Sequence, residues 1–154
     1  QWGRLNVSSA LTLINATYAD GFLTCAGAPC VTPTLAIPAG NRIPGIARRQ
    51  AYVKLAWEPG VAGSTFTLEL RHSAAVPAND SNSDAAAGHT VANLGVRLQQ
   101  EHGPWQFRQF LRIDNLANRR HAGAVIVNEG NARYFETAPG RSAYVGVELV
   151  RRFD

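Results

Sequence analysis

The chain has 154 residues, of which 45% are hydrophobic and 17% are charged, and its formal net charge is +4. This length suits one domain, and no run approaches the roughly 20 apolar residues of a membrane helix, which excludes helical spanning. Membrane-spanning strands escape this criterion, because lipid-facing and lumen-facing residues alternate along them. Composition therefore leaves a soluble domain and a transmembrane sheet open.

Alternation of apolar and polar residues predicts six strands, because successive side chains of a strand point to opposite faces. The chain begins at Gln1 beside a strand start and without a signal peptide, so we expect a fragment of a longer protein. The predicted strands run over about Arg4–Tyr18, Arg49–Trp57, Ser64–Ser73, Val91–Glu101, Trp105–Asn115 and Ala143–Phe153.

Two of these segments admit a second interpretation. Residues Asp84–His102 could form a capped amphipathic helix, but Gly88 and Gly95 and the alternation favour a strand. In the fifth strand Gln109 and Phe110 break the alternation, which leaves a β-bulge open at that point.

The connections alternate in length along the chain. Long segments span about Asp20–Ile46, Ala74–Thr90 and Asn115–Arg141, whereas Glu58–Gly63 and His102–Pro104 are short. Outer-membrane barrels show this asymmetry, with short periplasmic turns and longer external loops. Six aromatic residues fall at the short-turn ends of the strands, where we expect a girdle at the membrane interface. They are Trp2, Trp57, Phe66, Trp105, Phe107 and Phe153.

The last forty or so residues carry a family resemblance. The run from Arg112 to Arg141, followed by a strand that ends in an aromatic, resembles the C-terminal end of TonB-dependent outer-membrane receptors. The residues that match the family pattern are Arg112, Asp114, Asn115 and Leu116 of the penultimate strand and its motif, and the terminal aromatic Phe153.

The resemblance implies an all-β fold in which an antiparallel meander of about six long strands closes a transmembrane β-barrel. The family's barrels have about 22 strands around a plugged lumen, so residues 1–154 would be an incomplete C-terminal barrel segment without the plug and earlier strands. The implied function is uptake of a ferric siderophore or similar scarce chelate or cofactor, driven through TonB. No enzyme activity and no cofactor are expected.

The resemblance also implies the partners. These are outer-membrane lipid, the chelate, the barrel assembly machinery through the last strand, and TonB only through the missing plug. Five basic residues share the inward parity of the strands, namely Lys54, Arg71, Arg97, Arg108 and Arg112. Without interleaved aromatics they do not predict nucleic-acid binding. They predict a polar pore wall that either hydrogen-bonds to the plug or favours anionic ligands.

The long loops hold the remaining candidate residues. In the last loop, polar and aromatic groups predict ligand contacts at Asn128, Glu129, Asn131, Arg133 and Tyr134. The resemblance also implies ligand contacts in the loop from Asp20 to Ile46. A role in only folding over the plug is the open alternative.

Two motifs in the long loops contain residue types that can bind metal ions. Cys25 and Cys30 predict a disulfide that lies outside the cell, and this pairing is favoured over a metal site. Asp80, Asn82 and Asp84 are spaced like the first ligands of a calcium loop, but Ala85 and Val91 occupy the places of the required Gly and Glu. A solvated loop is therefore favoured.

Two other functions remain open at this stage. A free-standing soluble β-sheet binding module would bury Leu11, Val53, Leu68, Leu94 and Val147 in a core. A passive outer-membrane porin would use the same alternation without TonB. The four histidines form no nucleophile and base set. The sequence does not indicate which ligand is carried.

Overall fold

The computed structural model describes residues 3–25, 27, 29–61 and 63–153. Its main element is one antiparallel sheet of six strands that follow one another in chain order. These strands are β1 (Arg4–Leu13), β4 (Arg49–Glu58), β5 (Thr65–Ser73), β8 (His89–His102), β9 (Trp105–Asp114) and β12 (Ser142–Arg151). The prediction of an all-β antiparallel meander is confirmed, and the segment that also fitted a helix is strand β8. Among the described residues, no helix is long and apolar enough to cross a membrane.

Three small two-stranded sheets lie in the long connections. They pair β2 (Phe22–Thr24) with β3 (Leu35–Ile37), β6 (Val76–Pro77) with β7 (Ala85–Ala86), and β10 (Ala122–Val125) with β11 (Phe135–Thr137). All three long connections leave the same end of the six-stranded sheet. We call them loop 1 (residues 14–48), loop 2 (residues 74–88) and loop 3 (residues 115–141).

The opposite end of the sheet has tight turns. His102 pairs with Trp105, so only Gly103 and Pro104 connect β8 to β9. Gly103 has a φ of +55°, while proline fixes φ near −65° at the second position. A type II′ hairpin turn needs this combination. The predicted alternation of long and short connections is therefore confirmed.

The structure corrects one predicted strand end and decides one point that the sequence leaves open. The first strand ends at Leu13 and not near Tyr18, because Thr17 leaves the ladder and bridges Arg42 within loop 1. Strand β9 has no bulge, since its register with both neighbours runs through Gln109 and Phe110 without a shift. Phe110 instead pairs with Gly146, and its ring covers the place that a Cβ of Gly146 would occupy. An aromatic that covers a strand glycine explains why Phe110 breaks the alternation.

The register separates the two faces of the sheet, because residues directly opposite each other share a face. One face carries Val7, Leu55, Leu68, Leu94 and Leu111 in adjacent strands and is apolar. It is not covered by any other described part of the chain. The described buried hydrophobic residues, Ile37, Ala47, Ala78 and Ala86, all lie in or beside the loops.

The residues that a soluble module would bury are not in a core. Leu11 is 64% exposed and Val147 is 72% exposed, and Val53, Leu68 and Leu94 are only half-buried. The aromatic residues predicted for a girdle lie on or beside the apolar face at its short-turn end. Trp57 and Phe66 pair there with ring centroids 5.6 Å apart. Arg151 lies over Trp105 and Phe153, whereas Trp2 is outside the described residues.

Candidate functional site

The second face of the sheet is polar and carries all five basic residues predicted to line a pore. Ser8, Lys54, Glu69 and Asn93 lie opposite one another in four successive strands. The same register places the remaining basic residues on this face, namely Arg71, Arg97, Arg108 and Arg112.

Glu69 lies at the centre of this face and is only 8% exposed. Its carboxylate accepts a hydrogen bond of 3.1 Å from Arg112 Nη2 and one of 3.4 Å from the Tyr52 hydroxyl. Arg71 Nη2 lies 3.6 Å from the same carboxylate. Arg112 also donates to Asp114 Oδ1 at 2.8 Å. The cluster therefore neutralises much of the charge that the sequence placed on this face.

The other basic residues of the polar face divide into paired and unpaired ones. Arg108 Nη1 lies 3.1 Å from Glu148 Oε2. Within the described part of the chain, Lys54 and Arg97 make no ion pair. Both line a depression of about 240 Å³ together with Glu69 and Arg112. The positive charge left on this face is thus concentrated at Lys54 and Arg97.

The motif at the end of β9 has a structural role that its hydrogen bonds explain. Asn115 is 5% exposed and has a φ of +51°, a conformation that asparagine tolerates better than most residues. Its backbone N–H donates to Asn93 Oδ1 at 2.9 Å. Its side chain accepts from the Arg119 N–H at 2.8 Å and donates to the Arg119 carbonyl at 2.9 Å. Asn115 therefore ends β9 and closes the base of loop 3.

Leu116 continues this join between strand and loop. Its N–H donates to the Ala92 carbonyl of β8 at 2.8 Å. Asn118 also has a φ of +51°, and its Oδ1 accepts from the Arg141 N–H at 2.9 Å. One side of the base of loop 3 is therefore fixed to β8, and the two sides are joined to each other.

The three loops meet at Asp80 in loop 2, which is 9% exposed. The Tyr18 hydroxyl of loop 1 donates to Asp80 Oδ1 at 2.6 Å, and Asn128 Nδ2 of loop 3 donates to Oδ2 at 2.9 Å. The Asp80 N–H donates back to Asn128 Oδ1 at 2.9 Å. Asn41 Nδ2 donates to the Asp80 carbonyl at 2.8 Å. We call this set of residues the loop junction.

A second contact joins loops 1 and 2 beside the loop junction. The Arg42 N–H donates to Asn82 Oδ1 at 2.8 Å, and Asn82 Nδ2 donates to the Arg42 carbonyl at 2.9 Å. The side chain of Asn82 therefore imitates one step of a β-ladder.

Burial of the Tyr18 hydroxyl is the largest cause that raises the pKa of Tyr18, to about 12. The hydrogen bond to Asp80 and the negative charge of Asp80 act in the same direction.

A cavity of about 270 Å³ lies between the three loops, and we call it the loop pocket. Of the five residues predicted to contact ligand, Asn128, Glu129 and Tyr134 line it, whereas Asn131 and Arg133 do not. The N–H groups of Asn131 and Arg133 each donate to Glu129 Oε2 at 2.8 Å. The hydrogen bond from Arg133 is the main cause that lowers the pKa of Glu129.

The sequence indicates loop 1 as a ligand contact only as a segment, without named residues, and it does not indicate loop 2. Loop 1 contributes Thr24, Cys25, Gly27, Leu35 and Ile37, and loop 2 contributes Asn79, Asp80, Ser81 and Ser83. Cys25 and Cys30 are joined by a disulfide with their Cα atoms 5.9 Å apart. The density of Asn, Asp and Ser in Asn79–Asp84 was the available signal. Taken alone, this composition indicates a solvated or cation-binding loop and does not indicate a contact between loops.

The acidic residues of loop 2 are engaged in hydrogen bonding. Among the described residues, no group of three or more His, Cys, Asp or Glu side chains is arranged to hold a metal ion. Asp80 binds Tyr18 and Asn128, and Asp84 Oδ2 accepts from Ser83 Oγ at 2.8 Å.

The solved structures that this chain is similar to include two siderophore receptors of Acinetobacter baumannii. The siderophore receptor PiuA matches with a TM-score of 0.74 at 16% identity, over 96% of this chain and 20% of that chain. The ferric preacinetobactin receptor BauA matches with a TM-score of 0.58 at 19% identity, over 71% of this chain and 16% of that chain. No family model matches the chain.

The chain thus spans a fifth or less of the length of these two receptors. Its six strands, their order and the sizes of their connections agree with a piece of one continuous barrel wall. The chain therefore has the fold of a segment of a siderophore-receptor β-barrel.

Proposed function

We propose that the chain is the C-terminal part of the barrel of a TonB-dependent receptor in the bacterial outer membrane, which takes up a ferric siderophore or a similar chelate. The observation that carries the proposal is the match to PiuA over 96% of the chain with a TM-score of 0.74. The motif Asp114, Asn115 and Leu116 and the terminal aromatic Phe153 support the C-terminal position.

The exposed apolar face supports the location in a membrane. Val145 is 80% exposed and Val7 is 61% exposed, although both lie in regular strands. Apolar surface of this extent is unfavourable in water and favourable against lipid. The aromatic residues at the short-turn end would then lie at the periplasmic interface, and loops 1, 2 and 3 outside the cell.

In this proposal each part of the chain has a separate task. The loop pocket, with Asn128, Glu129 and Tyr134, would contact the chelate, while Asn131 and Arg133 shape the loop tip around Glu129. The polar face would line the lumen and hydrogen-bond to a plug. The last strand would be recognised by the barrel assembly machinery. TonB would act through the plug, outside these residues, and no covalent bond is made or broken.

The ion pairs of the polar face favour hydrogen bonding to a plug over general attraction of anions. Arg71, Arg108 and Arg112 each have a carboxylate within 3.6 Å. Of the five basic residues predicted for this face, all of them described, Lys54 and Arg97 are the two without an ion pair. Any preference for an anionic chelate in the lumen would therefore depend on these two residues.

The experiment is uptake of radioactive iron by cells that lack the gene encoding this chain and by cells complemented with it. The probe is iron bound to the siderophore purified from the organism's own iron-starved medium. We expect uptake to disappear in the deletion strain, to return on complementation, and to stop when TonB is deleted or the proton gradient is collapsed.

The alternatives give different results in the same strains. A passive porin would admit small solutes without dependence on TonB or on the proton gradient. A soluble binding module would appear in the aqueous fraction without detergent. Unchanged iron uptake in the deletion strain, with this siderophore and with other ferric chelates, would refute the receptor.

A further inference from the structure

We infer that Asp80 is a positioning residue whose carboxylate holds loops 1, 2 and 3 in one arrangement and so forms the loop pocket before a ligand arrives. This inference rests on the proposed function for its statement about ligand. Its statement about the loops concerns only the contacts of Asp80 and can be tested separately.

The geometry of the loop junction carries the first step. Asp80 is nearly buried, and each carboxylate oxygen accepts from a different loop, Oδ1 from Tyr18 and Oδ2 from Asn128. The two partners are 62 and 48 residues away in sequence. A hydrogen bond to an ionised group is stronger than one between neutral groups. One side chain therefore joins three segments that have no continuous ladder between them.

Supporting contacts show that the arrangement is not confined to one side chain. The Asn128 N–H donates to the Ala78 carbonyl at 2.9 Å, and the Gly45 N–H donates to the Pro77 carbonyl at 2.9 Å. These bonds set loops 1 and 3 on either side of residues 77–80. Asn128 has a φ of +54°, which turns its amide toward Asp80. The backbone of loop 2 is thus the centre of the junction, and Asp80 supplies its only ionised group.

The loop pocket follows from this arrangement. Asp80 and Asn128 line it themselves, and Ile37, the largest fully buried side chain among the described residues, lies at its loop 1 side. A pocket that is formed in advance avoids the entropic cost of ordering loops on binding. Loss of the junction should therefore weaken ligand binding without changing the later steps of transport.

A reciprocal exchange of side chains separates the junction from other effects. Asn128→Asp places a second carboxylate beside Asp80 Oδ2, where like charges repel each other. Adding Asp80→Asn to this variant restores the contact between the two side chains, with the amide now at residue 80 and the carboxylate at residue 128. The introduced amide donates to the introduced carboxylate, which still accepts the N–H of residue 80, and the Tyr18 hydroxyl still has an oxygen acceptor.

Asn118→Asp is the matched control. It makes the same substitution in the same loop at a residue with a similar positive φ, +51° against +54°. The Asn118 side chain accepts from the Arg141 N–H and has no described contact with loops 1 or 2. Its change of charge should therefore leave the junction intact.

The first measurement is hydrogen exchange on the full receptor that contains this chain, purified in detergent micelles without ligand. In Asn128→Asp we expect exchange about tenfold faster at the N–H groups of Tyr18, Gly45 and Asn128, in loops 1 and 3. The double variant should return to wild-type rates, and Asn118→Asp should not differ from wild type. Faster exchange confined to loop 3, or no return in the double variant, would overturn the inference.

The second measurement is uptake of radioactive iron bound to the siderophore from the organism's own medium. We expect Asn128→Asp to raise the half-saturating concentration about tenfold with little change in the maximal rate, and the double variant to restore it. Altered exchange with unchanged half-saturation would refute the role in ligand binding. Absence of uptake in the wild type would refute the proposed function, whereas the exchange data would still decide the role of Asp80 in holding the loops.

Discussion

The six-stranded sheet and the loop junction are stabilised in opposite ways. In the sheet, the backbone ladders are continuous, while apolar side chains such as Val145 and Val147 remain 80% and 72% exposed. In the loops, regular pairing is short, but Ile37 and Asp80 are buried and polar side chains join distant segments. The sheet thus leaves its apolar face exposed, whereas the loops carry their own packing.

This difference determines which substitutions each region tolerates. Side chains on the two faces of the sheet are interchangeable within their class, because the backbone makes the contacts between strands. Side chains of the loop junction are not interchangeable, because each one supplies a particular donor or acceptor. The following predictions, made for the receptor proposed above, test this contrast from the largest expected effect to the smallest.

The largest effect is expected from a charge on the apolar face. Leu68→Arg, in the middle of β5, should destabilise the receptor by about 2–4 kcal/mol, the cost of arginine at the centre of a lipid face. Thr67→Arg is the matched control on the polar face, where Ala56 and Gly95 lie opposite and leave room. The measurement is denaturant unfolding of the full receptor in lipid vesicles. Equal effects of the two substitutions would contradict the assignment of lipid to the apolar face.

The next largest effect is expected where the sheet joins loop 3. Asn115→Ala removes the two side-chain hydrogen bonds to Arg119 and leaves a residue that disfavours its φ of +51°. We expect a loss of about 2 kcal/mol. Asn131→Ala, at the exposed tip of the same loop, should cost far less. Denaturant unfolding of both variants checks this, and similar losses would mean that the motif has no special structural role.

A smaller effect is expected inside the polar face. Glu69→Gln removes the charge that binds Arg71 and Arg112, and we expect a loss of about 1–2 kcal/mol, since both arginines are partly exposed. Glu148→Gln is the control, because its pair with Arg108 is exposed on both sides. That substitution should cost below about 1 kcal/mol. If Glu148→Gln costs as much as Glu69→Gln, burial does not decide the strength of these pairs.

The same contrast explains what could be predicted from the sequence. Alternation in Phe66, Leu68 and Leu70 reports a face directly, so the strands, their order and the parity of Lys54, Arg71, Arg97, Arg108 and Arg112 followed from local pattern. The end of the first strand did not follow, because Thr17 leaves the sheet to bridge Arg42.

The loop junction could not be found in this way. Tyr18, Asp80 and Asn128 are each ordinary loop residues, and no spacing links positions that lie 48 and 62 residues apart. Sequence reasoning placed ligand contacts in loop 3 and, without named residues, in loop 1. Three of the five residues named in loop 3 do line the loop pocket. Sequence reasoning missed loop 2 because hydrogen bonding between loops leaves no periodic signal.

The smallest effect is a pH dependence confined to the loops. The pKa of Tyr18 is about 12, above its usual value of 10.0, so the folded loops favour the protonated phenol. The stabilisation is complete below pH 10.0 and is lost as the pH rises through about 12, because the phenolate cannot donate to Asp80. We expect hydrogen exchange in the loops to accelerate over that range beyond its ordinary dependence on hydroxide. Tyr18→Phe should remove this extra acceleration, whereas Tyr144→Phe in β12 should retain it. Extra acceleration of the same size in Tyr18→Phe would show that a group other than Tyr18 governs the alkaline loosening of the loops.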